Sequence, residues 1–201
     1  PTPLKNGIPD LSYIRNTLKI IKPYLKQNQF LSLESTSYPG ATEEEICKPL
    51  SKKFKIGKNF FISFSPERDD PGRKFDNFYI PRIVSGYSKK CRKIASKLYS
   101  FIFNKIVEVE NTRTAEMTKI YENVYRSVNI GLVNELKKIS HKMKIDINSV
   151  IDAAKTKPYG FNAFYPGPGL GGHCIPIDPI YLSWKAKKYG LKTNFIELAA
   201  K

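Results

Sequence analysis

Cysteine is scarce: Cys47, Cys91 and Cys174 are the three in 201 residues, far apart and with no C-x-x-C. Neither a disulfide framework nor a cysteine-rich zinc site is indicated, and a reducing, cytoplasmic compartment is the expectation. Two histidines in the whole chain give little material for a metal site, and no metal is expected. No apolar run approaches the roughly 20 residues of a bilayer-spanning helix, so a helical transmembrane protein is excluded and no membrane partner is expected. The opening Pro1-Thr2-Pro3-Leu4 has neither an initiator Met nor the regions of a signal peptide, which suggests a piece of a longer chain. Acidic residues number 18 against 34 basic ones, for a net charge of +16 and a pI near 9.7. Nucleic-acid binding is the first thought at such a charge. Arginine, however, the residue that makes most bidentate base contacts, accounts for only 7 of the 34, and the lysines are scattered from Lys5 to Lys201. The charge reads better as a solvated basic surface that helps attract an anionic small substrate, with no nucleic-acid partner.

With 41% hydrophobic and 12% aromatic residues, the chain can bury one sizeable core, or one compact domain plus part of a second. Leu11, Ile14, Leu18, Ile21 and Leu25 recur at helical spacing over residues 10 to 26. A short strand follows at residues 30 to 36, then a turn at Pro39-Gly40. Thr42 precedes Glu43-Glu44-Glu45, acidic residues suited to the first turn of a helix reaching about Lys53. Strands are expected at residues 59 to 65, 82 to 86 and 106 to 109, with a helix over 88 to 103. Helices alternating with apolar strands argue for a parallel α/β sheet. The alternation stops after Asn111. From Thr114 to Lys142 there is no Pro, and Met117, Ile120, Val124, Val128, Leu132 and Leu136 recur at helical spacing, a helix roughly 40 Å long at 1.5 Å per residue. A shorter helix over 145 to 154, a Pro/Gly-rich loop over 157 to 179 and helices near 180 to 188 and 194 to 201 complete the reading. The expected division is an α/β domain over residues 1–111 and a helical domain over 112–201.

The loop is the most informative stretch. Gly167, Gly169 and Gly172 formally satisfy G-x-G-x-x-G, but Pro168 interrupts the run and Pro176 and Pro179 follow it, whereas the dinucleotide fingerprint follows a strand and opens a helix. It reads instead as a rigid loop whose backbone approaches a ligand closely and delivers Cys174, with glycines removing bulk around the thiol and Asp178 four residues on. Adjacent His173 would point away from Cys174 in an extended segment.

Four ordered motifs carry a resemblance that covers essentially all 201 residues: Ser35-Thr36 with Pro39-Gly40; Ser65-Pro66-Glu67-Arg68-Asp69-Asp70-Pro71-Gly72; Ala115-Glu116-Met117-Thr118-Lys119-Ile120-Tyr121-Glu122-Asn123; and the loop ending in Gly171-Gly172-His173-Cys174. The chain resembles the UDP-glucose/GDP-mannose dehydrogenase family, most closely the members that oxidise UDP-N-acetylhexosamines. The fold implied is the distal part of a Rossmann-like parallel sheet followed by an all-α central domain with a long helix. The activity implied is oxidation of a sugar C6 alcohol to the carboxylate with NAD as cofactor, a UDP-sugar as substrate and a homodimer formed through the long helix.

Carried over residue by residue, the resemblance makes Cys174 the nucleophile and Asp178 a carboxylate that accepts a proton through water. Thr36 and Glu67 hold water for thioester hydrolysis and border the cofactor. Lys119 and Asn123, spaced i,i+4 on one helix face, are the donors to a developing oxyanion, and the Lys119 cation also favours the thiolate. Arg68, Phe161, Gly171 and Gly172 fall to substrate binding. Pro71 and Ile177 stand where UDP-glucose-specific members carry an acidic residue and a lysine, which favours the N-acetylhexosamine branch. The family's glycine-rich cofactor turn and its UDP-binding C-terminal domain have no counterpart here, so this chain alone is expected not to reduce NAD. A catalytically inactive, dimerising remnant and a basic nucleic-acid-binding module remain the competing readings.

Overall fold

The computed structural model describes residues 2–68, 79–172 and 174–199. They form two compact units, residues 1–120 and 121–201.

The first unit opens on a hairpin of β1 (Leu4–Lys5) and β2 (Ile8–Pro9), turned by Asn6 and Gly7, both at positive φ, as an Asn-Gly hairpin turn requires. α1 (Ser12–Ile21) buries Ile14 and Leu18, and the chain tightens into a 3₁₀ turn at Lys22–Tyr24, where Pro23 cannot donate to a helical ladder. β3 (Phe30–Leu33) pairs in parallel with β4 (Phe61–Phe64), whose four side chains are all buried. Between them the expected α-helix is a π-helix over Thr42–Cys47, with Lys48 N–H reaching the Glu43 carbonyl five residues back, continued by the short α2 (Lys48–Leu50).

β5 (Arg82–Val84) pairs in parallel with β6 (Ile106–Glu108). The link between the two parallel pairs runs the other way: Ser85 N–H donates to Phe64 O at 3.2 Å and Tyr87 N–H to Ile62 O at 3.0 Å. This antiparallel sense brings the start of β5 to the carboxyl end of β4. α3 (Lys89–Tyr99), N-capped by the Ser88 hydroxyl, packs Ala95 and Tyr99 against Val84, with Phe30, Phe103 and Ile106 at the margin. Gly86 makes this packing possible, because a Cβ there would lie 2.2 Å from Arg92 N. Cys47 and Cys91 are free thiols buried in this unit.

The long α4 (Thr112–Lys142) begins in the first unit and continues into the second. In the second unit, Val133 of α4 packs with Ile147 and Ile151 of α5 (Ile147–Ala154) and with Phe164. Asp146 caps α5, accepting from Asn148 and Ser149 N–H. Leu132, Leu136 and Ile139 are exposed on α4. The second correction concerns α6, which spans Cys174–Lys187 and so begins where a loop to residue 179 was expected. Pro176 falls in the first turn, where an N–H has no helical partner to lose, and Pro179 sits inside the helix. α7 (Asn194–Ala199) lies against α6, with Thr193 Oγ1 donating to Ser183 Oγ at 2.6 Å and Lys187 paired with Glu197 at 3.2 Å. Among the described residues, no helix is long and apolar enough to cross a membrane.

Candidate active site

In the first unit the expected site residues Thr36, Glu67 and Arg68 lie beyond the carboxyl ends of β3 and β4, the edge at which open α/β sheets bind ligands. Glu34, Ser35 and Thr36 follow β3; Ser65, Pro66 and Glu67 follow β4. Thr36 is half-buried, and the neighbouring Ser37 hydroxyl is buried with no hydrogen-bond partner among the described residues. Glu67 is exposed, and its two oxygens accept from different donors: Oε1 from Arg68 N–H at 2.8 Å, Oε2 from Arg82 Nη1 at 2.7 Å. Arg68 Nη1 in turn donates to Pro81 O at 2.8 Å.

Arg82 is almost fully buried and also reaches Glu34 Oε2 at 2.9 Å. Tyr99 donates its hydroxyl proton to the same Glu34 carboxylate, and burial with that contact pushes the phenol above its ordinary value.

Behind Thr36 the turn at Pro39-Gly40 is pinned by Glu116 of α4. Its buried carboxylate accepts from Gly40 N–H at 2.5 Å, Thr42 N–H at 2.8 Å and Thr42 Oγ1 at 2.6 Å. Lys119, half-buried, stands three residues further along the same helix.

In the second unit, Asn123 and Asp178 meet: Asn123 Nδ2 donates to Asp178 Oδ2 at 2.5 Å, and both residues are buried. The contact joins α4 to α6 across 55 positions of sequence. One amide hydrogen of Asn123 is thus engaged by a carboxylate, and the amide carries a second donor hydrogen. Asp178 lies one helical turn beyond Cys174, the first residue of α6.

The loop before α6 is held at several points. Asn134 Oδ1 accepts from Gly167 N–H at 2.9 Å, Asn162 Nδ2 donates to the Tyr125 hydroxyl at 2.7 Å, and Phe164 packs edge-on to the Tyr125 ring. Phe161 is exposed. Gly171 and Gly172 both have φ of 71°, and an added Cβ at either would meet nothing within 4 Å. Their glycine requirement is therefore conformational, not the removal of bulk the sequence suggested.

Of the site residues expected from sequence, the structure brings Asn123 together with Asp178 and Glu67 together with the backbone of Arg68. Thr36, Glu67, Arg68 and Lys119 belong to the first unit; Asn123, Phe161, Gly171, Gly172, Cys174 and Asp178 belong to the second. His173 and Pro71 lie outside the described residues. Sequence reasoning passed over Arg82, Glu34 and Glu116. Glu116 stood inside a quoted motif, and an arginine at the start of an otherwise apolar strand was the one signal for Arg82. Among the described residues no group of three His, Cys, Asp or Glu side chains forms a metal site.

Residues 1–103 match the UDP-glucose/GDP-mannose dehydrogenase family, NAD binding domain, and residues 113–201 match its central domain. The chain belongs to the UDP-glucose/GDP-mannose dehydrogenase family, and its cofactor is NAD. It is 40% identical to the protein CapL of Staphylococcus aureus, over 94% of this chain and 46% of that one. It is 38% identical to the UDP-N-acetyl-D-glucosamine 6-dehydrogenase of Pseudomonas aeruginosa, over 98% of this chain and 47% of that one. Among solved structures, the UDP-D-ManNAc dehydrogenase of Pyrococcus horikoshii matches with a TM-score of 0.90 and 34% identity, over 99% of this chain and 47% of that one. The chain therefore spans about half the length of the relatives it matches. The strand-end edge fits the cofactor in its chemistry: the buried Ser37 hydroxyl, without a hydrogen-bond partner among the described residues, and the half-buried Thr36 stand just beyond the carboxyl end of β3, the edge at which open sheets hold a dinucleotide.

Proposed function

We propose that this chain is the central portion of a cytoplasmic NAD-dependent dehydrogenase that oxidises the C6 alcohol of a UDP-N-acetylhexosamine to the carboxylate. The buried hydrogen bond between Asn123 and Asp178 carries the reading, because it unites two of the expected catalytic residues from separate motifs. Bound NAD supplies the hydride acceptor for both oxidations.

The chain's own residues do the rest. Thr36 and Glu67 border the cofactor and hold water. Arg68, Phe161, Gly171 and Gly172 contact the sugar nucleotide. The Cys174 thiolate bonds to the aldehyde carbon, and the carbonyl electron pair moves to oxygen, where Lys119 and the free amide hydrogen of Asn123 stabilise it. That oxygen takes up a proton to give a thiohemiacetal. Loss of the second hydride, with the hydroxyl proton passing through water to Asp178, leaves a thioester. Water then bonds to the thioester carbon, the C–S bond breaks with its electron pair on sulfur, and the acid is released. The exposed Leu132, Leu136 and Ile139 on α4 support a homodimer formed through that helix. The domain boundary that goes with this reading falls between residues 111 and 112.

Cys174→Ser in the intact enzyme is the test. A hydroxyl near neutral pH is a far weaker nucleophile than a thiolate, so acid formation should fall on the order of a thousandfold or more while sugar-nucleotide affinity holds. Undiminished production of the sugar acid would remove Cys174 from the mechanism.

A further inference from the structure

Asn134 stands on the core of the second unit and grips the glycine loop with its amide. Its neighbour on α4, Val133, packs with Ile147, Ile151 and Phe164. The amide reaches the loop main chain at two places: Oδ1 accepts from Gly167 N–H at 2.9 Å and Nδ2 donates to Gly169 O at 3.4 Å. A primary amide carries an acceptor and a donor side by side, as the main chain does, so it pairs with the loop as a short piece of neighbouring strand would. Pro168, between the two anchored glycines, has no N–H to offer. Three residues before Gly167 the same loop is tied down by Phe164, which packs into that core and stands edge-on to the Tyr125 ring at 5.8 Å. Gly171 and Gly172 follow the clamp, each at φ of 71° with open space where a Cβ would be. Glycine gives up more backbone freedom on ordering than any other residue, so a loop that carries two of them and is left loose would draw the cost of its ordering from ligand binding. Asn134 is only half-buried, and water can replace both of its bonds with little loss of fold stability. What the amide supplies is a fixed path for the loop.

We propose that Asn134 is a positioning residue for sugar-nucleotide binding: its amide holds the main chain at Gly167 and Gly169, so that Gly171 and Gly172 meet the substrate in a loop already ordered. The proposal rests on the function given above, in which Gly171 and Gly172 contact the sugar nucleotide. Asn134 acts through the loop and exchanges no proton. The loop is ordered in the ground state and in the transition state alike, so removing the clamp weakens the binding of both equally and falls on KM, not on kcat. Asn134, Gly167, Gly169, Gly171 and Gly172 all belong to the second unit, whereas the strand-end edge that fits NAD belongs to the first. The affinity for NAD is therefore expected to stay as it is.

The experiment compares the complete enzyme, wild type and Asn134→Ala, by initial-rate kinetics with NAD and UDP-N-acetylglucosamine and by millisecond hydrogen–deuterium exchange of the peptide over residues 166–172, with and without the sugar nucleotide. Asn134→Ala should raise KM for the sugar nucleotide about tenfold and leave kcat and the KM for NAD within about threefold. Its 166–172 peptide should exchange faster than that of wild type in the free enzyme and at the wild-type rate once the sugar nucleotide is saturating. A merely structural role would lower the thermal midpoint, speed exchange in α5 as well and move both KM values, and that result overturns the inference; so does an unchanged KM for the sugar nucleotide. If Asn134→Ala does not fold, Asn134→Asp, which keeps the acceptor for Gly167 N–H and loses the donor to Gly169 O, decides by the same readings. A wild type that forms no NADH with any UDP-N-acetylhexosamine overturns the proposed function itself, a failure distinct from an active wild type whose Asn134 variants keep its KM.

Discussion

Burial acts on Glu116 more strongly than the hydrogen bonds it accepts: it pushes the carboxyl up from 4.5 to about 7, against the opposing pull of Thr42 and Gly40 and with Glu43 adding to the rise. The folded chain thus holds this proton more tightly than the unfolded chain does. The stability this group contributes is full below about pH 4.5 and is lost as the pH rises through about 7, a change on the order of 3 kcal/mol. Glu116→Gln removes the titration but leaves one of the two backbone N–H donors facing an amide NH₂. Chemical denaturation at about pH 5 and about pH 8 should therefore show a variant that is less stable than wild type at the lower pH and closes much of the gap at the higher. A wild-type to variant difference that is the same at both values would place the titration elsewhere. None of this was legible in sequence. Glu116 and Lys119 share a motif, but the partners that bury Glu116 lie 74 and 76 positions away.

Elements divide by how local their causes are. α4 was readable because 31 residues without proline, with apolar side chains at helical spacing, leave few alternatives. β3 to β6 were readable too, though each is shorter than the run that announced it, whereas the two-residue strands of the β1–β2 hairpin were not anticipated. The start of α6 is not legible because Pro176 and Pro179 read as helix stops, although a proline in a first turn loses no helical bond. The π-helix at Thr42–Cys47 was missed because nothing in its own sequence specifies five-residue spacing. The approach of α3 to the end of β5 depends on a single position. Gly86→Ala would drive a methyl into the Arg92 backbone, which no rotamer change relieves, and should destabilise the first unit by about 3 kcal/mol or more, read as a lowered midpoint in thermal unfolding. A wild-type midpoint would mean that α3 shifts freely.

For the whole molecule the net charge of +16 attracts any anionic diphosphate whatever it carries, so under the proposed function it would raise encounter with every UDP-sugar alike and discriminate none. On the proposed function, discrimination has to come from contacts at the sugar, and the N-acetylhexosamine assignment leans on the apolar Ile177, half-buried beside Asp178 in α6. In the intact enzyme the ratio of kcat/KM for UDP-N-acetylglucosamine to that for UDP-glucose should exceed one, and should stay constant as salt lowers both values. A ratio below one would move the protein to another branch of its family. The buried cysteines bear on how such an enzyme can be assayed at all. Cys47 is 2% exposed, its thiol pushed far up by burial, and Cys91 is 0% exposed, so neither meets an alkylating reagent until the first unit opens. A single labelling time course then separates into a rapid event at the proposed nucleophile, blocked by substrate, and a slow one whose rate clocks the opening of the α/β unit, so that active-site titre and conformational integrity are read from the same sample.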